Sequence, residues 1–175
     1  MTDELQITIR RADHRDVNLL TELGARTFEE TFAADNTAED MSAYLASSFN
    51  LAQQRAELAD SASMFLIADA AGQPAGYAKL HSGAPSEGIE ATNPIELVRL
   101  YVDKKWLGSG VGAALMQACL EEAAKSGFDK IWLGVWEKNA RAQAFYRKWD
   151  FRTFGEHVFQ LGADAQTDIL MQRQV

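Results

Sequence analysis

A glycine-rich segment between a strand pattern and a helix pattern is the feature that most restricts how this chain can fold. Residues 107–112 read Leu-Gly-Ser-Gly-Val-Gly, after the β-type run 95–102 and at the start of the helical pattern 110–126. Glycines let a backbone approach a ligand closely, and the first N–H groups of a helix are unpaired and carry partial positive charge. Phosphate is the natural ligand of such a helix start, and Lys104 and Lys105 add positive charge just upstream. The alternative is a glycine-rich turn that binds nothing.

The residues around the last glycine decide which phosphate site is possible. A P-loop requires Lys followed by Ser or Thr, whereas Ala113 and Ala114 stand there, so the sequence excludes a Walker-type nucleotidase. The spacing Gly108-x-Gly110-x-x-Ala113 formally satisfies a dinucleotide fingerprint. That fingerprint should follow its strand directly, but residues 103–107 intervene here. It should also open a βαβ unit that makes up most of the chain, whereas about half of this chain precedes the segment. A dinucleotide site therefore stays an alternative only.

The order of the remaining patterns predicts a single domain over residues 1–175, of mixed α/β (α+β) class. Hydrophobic periodicity indicates one strand, several helices, three strands, a helix, a strand, a helix and two strands. An antiparallel hairpin around residues 70–74 argues against a fully parallel sheet, so we expect one central, mixed and largely antiparallel sheet. The predicted strands are 5–11, 63–69, 75–81, 95–102, 131–136, 151–160 and 167–173, and the predicted helices are 14–33, a stretch after Thr37, 51–60, 110–126 and 140–149.

Composition is that of an ordinary globular protein. Apolar residues make up 47% and charged residues 24% of the 175 residues, and no apolar run approaches the ~20 residues that span a bilayer. Residues 1–4 (Met-Thr-Asp-Glu) are acidic and lack the apolar region of a signal peptide. The single cysteine, Cys119, forms no internal disulfide. We therefore expect a cytoplasmic protein with no membrane partner.

Negative charge is concentrated in the first third of the chain. Residues 1–60 contain 12 acidic and 5 basic side chains, residues 61–175 contain 13 and 12, and the net charge is −8. Because binding to the phosphate backbone of a nucleic acid needs a basic protein face, we expect no nucleic-acid partner. A cationic small molecule suits the acidic part better, although a solvated surface that keeps the protein soluble is the simpler alternative.

Two motifs in the second half resemble those of the GNAT superfamily of N-acetyltransferases. Residues 100–103 (Leu-Tyr-Val-Asp) and 108–115 (Gly-Ser-Gly-Val-Gly-Ala-Ala-Leu) are similar to its acetyl-CoA motif. Residues 139–146 (Asn-Ala-Arg-Ala-Gln-Ala-Phe-Tyr), followed by Asp-Phe at 150–151, are similar to its second motif. One departure is Leu107, where the family usually has Gln or Arg. Because backbone N–H groups make most phosphate contacts in that loop, we expect only a modest loss of cofactor affinity.

The resemblance implies the GNAT acyl-CoA N-acyltransferase fold, with acetyl-CoA as cosubstrate. In that fold acetyl-CoA lies in a cleft where two neighbouring parallel strands splay apart, here 95–102 and 130–136. Its pantetheine arm would pair with backbone groups near Leu100 and Val102, and its pyrophosphate would lie on residues 107–112. The cofactor-binding residues that the resemblance implies are Leu100, Tyr101, Val102, Leu107, Gly108, Ser109, Gly110, Val111, Gly112, Asn139 and Tyr146.

Acetyl transfer to an amine requires two proton movements. A primary amine of pKa ~10 must lose a proton, and the departing thiolate, whose thiol has a pKa of ~8.5, benefits from a proton donor. The resemblance points Tyr146 at the sulfur as the acid, and Glu96 is the candidate base, directly or through water. A backbone N–H of the splayed strand is the expected donor to the oxyanion. The alternatives are a core role for Tyr146 beside Phe145 and Trp149, and a surface or Arg99-paired role for Glu96.

The cysteine and the histidines are predicted to have no chemical role. Cys119 lies in the middle of a predicted helix beside Met116, which is typical of a buried structural cysteine. His14, His81 and His157 lack metal-ligand spacing and are expected to be structural or exposed. We therefore expect no metal.

The acceptor is expected to bind at the N-terminal helices. Residues 26–32 (Arg-Thr-Phe-Glu-Glu-Thr-Phe) and 76–80 (Gly-Tyr-Ala-Lys-Leu) resemble a subgroup that includes bacterial spermidine/spermine acetyltransferases. The candidate acceptor-binding residues are Phe28, Phe32 and Trp136, with core packing as the alternative for Phe28. The acidic residues expected to attract a polyamine near Phe32 are Glu29, Glu30, Asp35, Glu39 and Asp40.

Other functions stay open alongside a small-molecule N-acetyltransferase. They are acetylation of a protein N-terminus or lysine, non-catalytic acyl-CoA sensing, and dinucleotide binding. A sensor needs neither base nor acid, so the presence of Glu96 and Tyr146 favours an enzyme. A homodimer is a further expectation, because related folds often dimerise.

Overall fold

The computed structural model describes residues 5–175, so residues 1–4 and the signal-peptide expectation that rests on them lie outside it. The described chain contains seven strands and five α-helices in the predicted order. The strands are β1 (Ile7–Arg11), β2 (Ser63–Ala70), β3 (Gln73–His81), β4 (Pro94–Val102), β5 (Lys130–Trp136), β6 (Arg152–Leu161) and β7 (Asp164–Gln174). The helices are α1 (Val17–Phe32), α2 (Ala38–Ser48), α3 (Leu51–Ala59), α4 (Val111–Lys125) and α5 (Ala140–Lys148).

All seven strands form one sheet in the order β1-β2-β3-β4-β5-β7-β6. Among the described strands only β4 and β5 run parallel, and every other neighbouring pair is antiparallel. Helix α4 connects this parallel pair, as the connection between parallel strands requires. The predicted mixed, largely antiparallel sheet is therefore confirmed.

The parallel strands pair only at their beginnings. Pro94, Ile95 and Glu96 lie opposite Lys130, Ile131 and Trp132. Beyond that point β4 continues to residue 102 and β5 to residue 136, with no further pairing between them in the described sheet. The strands thus splay apart as the resemblance implies, and their carboxyl halves leave a gap in the middle of the sheet.

Strand β4 also contains a bulge just after it leaves β5. Lys79 of β3 lies opposite Arg99, but Leu80 lies opposite Leu97, so Val98 is an extra residue in β4. A bulge of this kind bends a strand and redirects the backbone groups around it. The bend starts within two residues of Glu96 and contributes to the gap.

The two faces of the sheet are covered by different helices. Helix α4 packs against β1–β4, and Leu133 of β5 joins the core on that side. Helices α1 and α3 pack on the opposite face, where Leu20 and Leu23 of α1 contact residues of β2 and β3. Within the described part of the chain, no helix combines the length and apolar character needed to cross a membrane.

The turn between β2 and β3 differs from the prediction. Five turn residues are predicted, but β2 extends to residue 70 and β3 begins at Gln73. Ala71 and Gly72 both have positive φ, 50° and 74°, as a two-residue hairpin turn requires. The prediction was wrong because alanine seldom adopts this conformation, so the sequence carries no strong signal for it.

Candidate active site

A cavity of about 1010 Å³ fills the gap between β4 and β5 and is lined from both faces of the sheet. One end is formed by the segment before α4 and by α5, and we call it the loop end. The opposite end is formed by α1, α2, β5, β6 and β7, and we call it the aromatic end. The loop end includes Leu107, Gly108, Gly110, Asn139 and Arg141, and the aromatic end includes Phe28, Phe32, Tyr44, Trp136 and Phe159.

Backbone geometry makes the loop end a polar cradle. Gly108 and Gly110 have φ of 79° and 96°, a left-handed conformation that favours glycine. A Cβ atom at Gly108 would meet nothing within 4 Å, so the loop faces open space. The first backbone hydrogen bond of α4 joins the N–H of Ala114 to the carbonyl of Gly110. The N–H groups of residues 111–113, at the start of this helix, therefore have no backbone partner among the described residues. Such a helix start binds anions.

Three cationic side chains surround this end of the cavity: Lys104, Arg141 and Lys148. Lys105, which the sequence also suggests as a phosphate partner, is directed elsewhere because its Nζ donates to Gln73 at 2.8 Å. Of the two lysines, Lys104 lines the cavity and Lys105 does not. The sequence analysis does not identify Arg141 and Lys148, although Arg141 lies within the second motif and Lys148 lies just after it. The two residues are seven apart on α5, so they lie on the same side of this helix.

Most of the predicted cofactor-binding residues line the cavity: Leu100, Tyr101, Val102, Leu107, Gly108, Gly110, Gly112, Asn139 and Tyr146. Two others do not present their side chains to it. The Ser109 hydroxyl donates to the carbonyl of Trp106, and Val111 is fully buried in the core. The Asn139 side chain caps α5 by accepting from the Ala142 N–H at 3.1 Å.

Tyr146 belongs to the core and to the cavity wall at once. It is 9% exposed, and its ring lies 5.5 Å from that of Phe145 and 5.7 Å from that of Phe151, between centroids. Burial raises the pKa of the Tyr146 phenol well above its usual value. The phenol therefore stays protonated at physiological pH and is available as a donor.

Glu96 lies at the point where the strands separate. It is opposite His81 of β3 and Trp132 of β5, and its side chain lines the cavity. Burial raises the pKa of Glu96, while His81, His157 and Lys79 oppose that rise. A carboxylate whose pKa is raised towards neutrality is a better proton acceptor than an exposed one.

Arg99, the alternative partner of Glu96, is engaged elsewhere. Its guanidinium donates to both carboxylate oxygens of Glu57 at 2.7 and 3.1 Å, and Lys79 Nζ lies 2.9 Å from the same carboxylate. Burial alone raises the pKa of Glu57, but the Arg99 and Lys79 contacts outweigh it and lower the pKa to about 2. The suggested Glu96–Arg99 pair is therefore wrong.

Cys119 has no route to the chemistry. It is completely buried, and burial raises the pKa of its thiol to about 12. Because the thiolate is the nucleophilic form, this residue is inert, as the sequence predicts. Among residues 5–175, no group of three or more His, Cys, Asp or Glu side chains is placed to hold a metal ion.

The aromatic end is a continuous wall of rings. Phe28 stacks on Tyr44 with centroids 4.5 Å apart, Phe32 lies 4.5 Å from Phe28 and 5.8 Å from Trp136, and Tyr44 lies 5.6 Å from Phe159. All three predicted acceptor-binding residues thus meet here. Phe28 is 2% exposed, so it is part of the core as well as of the wall.

The acidic residues at the cavity differ from those suggested by the sequence. Of the α1–α2 set, Glu30 alone lines the cavity among the described residues, and it accepts the N–H of Lys104 at 3.0 Å. Asp40 instead accepts the N–H of Ala163 at 2.8 Å. The carboxylates at the aromatic end are Glu96 and Asp168. Charge counts miss Asp168 because they carry no information on which strand lies beside the gap.

His157, which the sequence predicts to be structural or exposed, has a side chain that is 40% exposed. It lines the cavity, and its Nε2 lies 3.5 Å from Asp168 Oδ2. Burial raises the pKa of Asp168, and His157 opposes that rise. The two residues are cross-strand partners on β6 and β7, a relationship that only the strand register reveals.

The residues present fit acetyl-CoA. The phosphate groups of acetyl-CoA need cations and backbone N–H donors, which the loop end supplies. The pantetheine arm needs backbone groups that have no strand partner, and β4 offers these beyond Glu96. The segment 107–112, the separated strands and Tyr146 lie around one cavity.

Comparison with known proteins agrees with this geometry. Residues 25–151 match the model of the Acetyltransferase (GNAT) family. An uncharacterized N-acetyltransferase encoded in the pepI 3′ region of Lactobacillus delbrueckii subsp. lactis is 33% identical over 168 residues, which cover 95% of this chain and 96% of that protein.

Solved structures share the fold. The PaiA N-acetyltransferase from Thermoplasma acidophilum, crystallised with coenzyme A, superposes with a TM-score of 0.79 at 21% identity and covers 97% of this chain and 99% of its own. A ribosomal-protein-alanine N-acetyltransferase from Brucella melitensis gives a TM-score of 0.68 at 25% identity, covering 96% and 99%.

Proposed function

Because the chain belongs to the GNAT family of acetyltransferases and is an acetyl-CoA-dependent N-acetyltransferase, we propose that it acetylates a small primary amine by direct attack within a ternary complex. The observation that carries this proposal is the single cavity with Tyr146 and the loop end on one side and Glu96 and the aromatic wall on the other. Two substrates that approach from opposite ends would meet where β4 and β5 separate. No exchange of the acetyl group through an enzyme nucleophile is needed, and Cys119 is inert.

In the proposed reaction the amine reaches the acetyl group from the aromatic end. Glu96 takes a proton from the amine, directly or through water, so that the nitrogen has a free electron pair. The nitrogen forms a bond to the carbonyl carbon, and the carbon–sulfur bond breaks with its electron pair going to sulfur. Tyr146 supplies the proton that converts the thiolate into a thiol. The products are the N-acetylated amine and coenzyme A.

Negative charge develops on the carbonyl oxygen during this attack. The β5-facing side of β4 beyond Glu96 has no strand partner among the described residues, so its backbone N–H groups are available as donors. A fixed donor of this kind typically contributes ~10²–10³-fold to such a reaction. The Val98 bulge supports this role because it redirects the backbone next to the base.

The acceptor we favour is a small aliphatic amine, with polyamines as the first compounds to test. Aromatic rings together with Glu96 and Asp168 suit a cation with an apolar body. A protein N-terminus is the second candidate, because the Brucella melitensis relative named above is a ribosomal-protein-alanine N-acetyltransferase.

Initial rates with acetyl-CoA and an acceptor panel test the proposal. The panel contains spermine, spermidine, monoamines of similar length, a peptide with N-terminal alanine and a lysine peptide, and mass spectrometry identifies the N-acetyl product. We expect turnover of small amines and double-reciprocal lines that intersect. Parallel lines would contradict direct attack, and turnover of the peptides alone would favour the protein acceptor. Binding of acetyl-CoA without turnover of any amine would indicate a sensor.

A further inference from the structure

The side chain of Asp168 occupies space that Gly134 of β5 leaves open. A Cβ atom built at Gly134 would lie 3.1 Å from Asp168 Oδ2 and 3.4 Å from His157 Nε2. The carboxylate of β7 therefore leans over the neighbouring strand β5 instead of pointing away from the sheet. All three residues line the cavity at its aromatic end.

Strand register puts Asp168 on the same face as Glu96. Glu96 lies opposite Trp132 and Asp168 lies opposite Trp136. Because side chains alternate along a strand, Trp132, Gly134 and Trp136 share one face of β5. The two carboxylates thus flank Gly134 on one face, Glu96 from β4 and Asp168 from β7.

Asp168 lacks a strong partner within the protein. Its side chain is 14% exposed, and His157 at 3.5 Å is the only basic group within 4.0 Å among the described residues. A mostly buried carboxylate is costly unless donors or an opposite charge compensate it. The ring of Phe32, 5.8 Å from that of Trp136, offers a π face that also favours a cation in this space, while the Trp136 ring already has Lys138 Nζ 5.7 Å from its centroid.

We propose that Asp168, oriented by His157 above Gly134, binds the acceptor amine in its protonated form and thereby selects alkylammonium substrates over uncharged nucleophiles. This inference rests on the proposed function, because it concerns the acceptor of that reaction. Asp168 is a binding residue, Glu96 remains the base that removes the proton, and His157 is a positioning residue. The competing explanation is that the His157–Asp168 pair merely ties β6 to β7.

Two acceptors of equal size separate binding of charge from packing. One is the best alkylamine of the panel, and the other is its β,β-difluorinated analogue, measured at about pH 8.5, where the alkylamine of pKa ~10 is still protonated and the analogue, whose pKa the fluorines lower, is mostly neutral. Each is measured as a substrate or, where turnover is slow, as a competitive inhibitor, in wild type and in Asp168→Asn. The control variant is Glu156→Gln. It also removes one negative charge, but Glu156, the residue next to His157, does not line the cavity.

We expect Asp168→Asn to raise KM or Ki for the cationic amine by roughly tenfold or more, the usual effect of losing a charged hydrogen bond. The value for the neutral analogue and the KM for acetyl-CoA should change little, and Glu156→Gln should resemble wild type. Equal losses for both amines would overturn the inference and leave the acetyltransferase function intact. Failure of the wild type to acetylate any amine would overturn both.

A second variant keeps the inference testable if Asp168→Asn folds poorly. Gly134→Ala retains the carboxylate but places a methyl group 3.1 Å from its Oδ2, so Asp168 must shift by a few tenths of an ångström. We expect a higher KM for the cationic amine than in wild type and a smaller change for the neutral one. Unchanged selectivity in a folded Gly134→Ala protein whose Asp168 has moved would count against the proposed ammonium site.

Discussion

Glu96 of β4 and Trp132 of β5 are the last residues at which the two parallel strands still pair. One residue beyond them, the sheet opens into the cavity that connects the loop end with the aromatic end. The candidate base therefore lies at the apex of the gap. This position accounts for its partial burial and for the rise of its pKa, because the carboxylate faces a narrow cavity instead of bulk water.

Substitution of Gly110 tests the loop end. An aspartate there would have to adopt φ of 96° and would bring negative charge to the start of α4. We expect Gly110→Asp to raise KM for acetyl-CoA at least about tenfold, which corresponds to ~1.4 kcal/mol. Isothermal titration with acetyl-CoA, next to initial rates, measures the loss.

The matched control for this variant is Gly127→Asp. Gly127 also has positive φ, 77°, with nothing within 4 Å of a Cβ atom, but it follows the opposite end of α4. The Gly127→Asp substitution therefore introduces the same backbone strain and the same negative charge at a position away from the cavity. If both variants lose acetyl-CoA binding equally, backbone strain and not a phosphate cradle explains the effect.

Substitution of Tyr146 tests the proposed acid. Tyr146→Phe removes only the hydroxyl and keeps the ring contacts with Phe145 and Phe151. We expect kcat to fall ~10²–10⁴-fold, the usual contribution of a positioned acid, with a smaller change in KM. Tyr77→Phe is the control, because Tyr77 is also fully buried but its hydroxyl has no partner in the described structure and lies outside the cavity wall. A Tyr146→Phe enzyme with wild-type kcat would reduce Tyr146 to packing.

Substitution of Glu57 tests the ion cluster under β4. Glu57→Gln would leave Arg99 and Lys79 as two buried positive charges without a counter-ion. We expect a loss of ~3–5 kcal/mol in the free energy of unfolding, measured by urea denaturation. Glu121→Gln, at an exposed position of α4, should change stability by no more than ~0.5 kcal/mol.

The loss of unfolding free energy in Glu57→Gln should become smaller as the pH is lowered. The pKa of Glu57 falls from 4.5 to about 2 on folding, because the Arg99 and Lys79 contacts outweigh burial. A lowered pKa stabilises the fold above the unfolded-state value and loses that contribution as the pH falls through the folded-state value. The difference between wild type and Glu57→Gln should therefore narrow between pH 4.5 and about 2. A constant difference over that range would rule out the charge-based explanation.

Local patterns in the sequence predict the elements and the loop end well. Gly108 and Gly110 have positive φ between β4 and α4, where the spacing predicts a glycine-rich loop that joins a strand to a helix, so the position and shape of this loop follow from local sequence. Thr37, after which the sequence predicts a helix, caps α2 by accepting the N–H of Asp40 at 3.1 Å.

The aromatic end was only partly predictable, because it depends on contacts between distant segments. Asp168 and His157 become neighbours through the β6–β7 register, and Asp168 Oδ2 lies only 3.1 Å from the position that a Cβ atom at Gly134 would take. Arg99 similarly pairs with Glu57, 42 residues earlier in the chain, instead of with nearby Glu96. No local periodicity encodes these relationships.

The pH dependence of Glu96→Gln tests the central claim, that Glu96 removes the proton of the acceptor amine. Burial raises the pKa of Glu96, with His81, His157 and Lys79 opposing it, so the basic form is present above that raised value. The amine, of pKa ~10, needs this base most at the lower end of the range in which Glu96 is ionised. Measured as kcat/KM for the acceptor at saturating acetyl-CoA, the deficit of Glu96→Gln relative to wild type should be largest at low pH and shrink as the pH rises. A deficit that is the same at every pH, or no deficit at all, would contradict the assignment of Glu96 as the base.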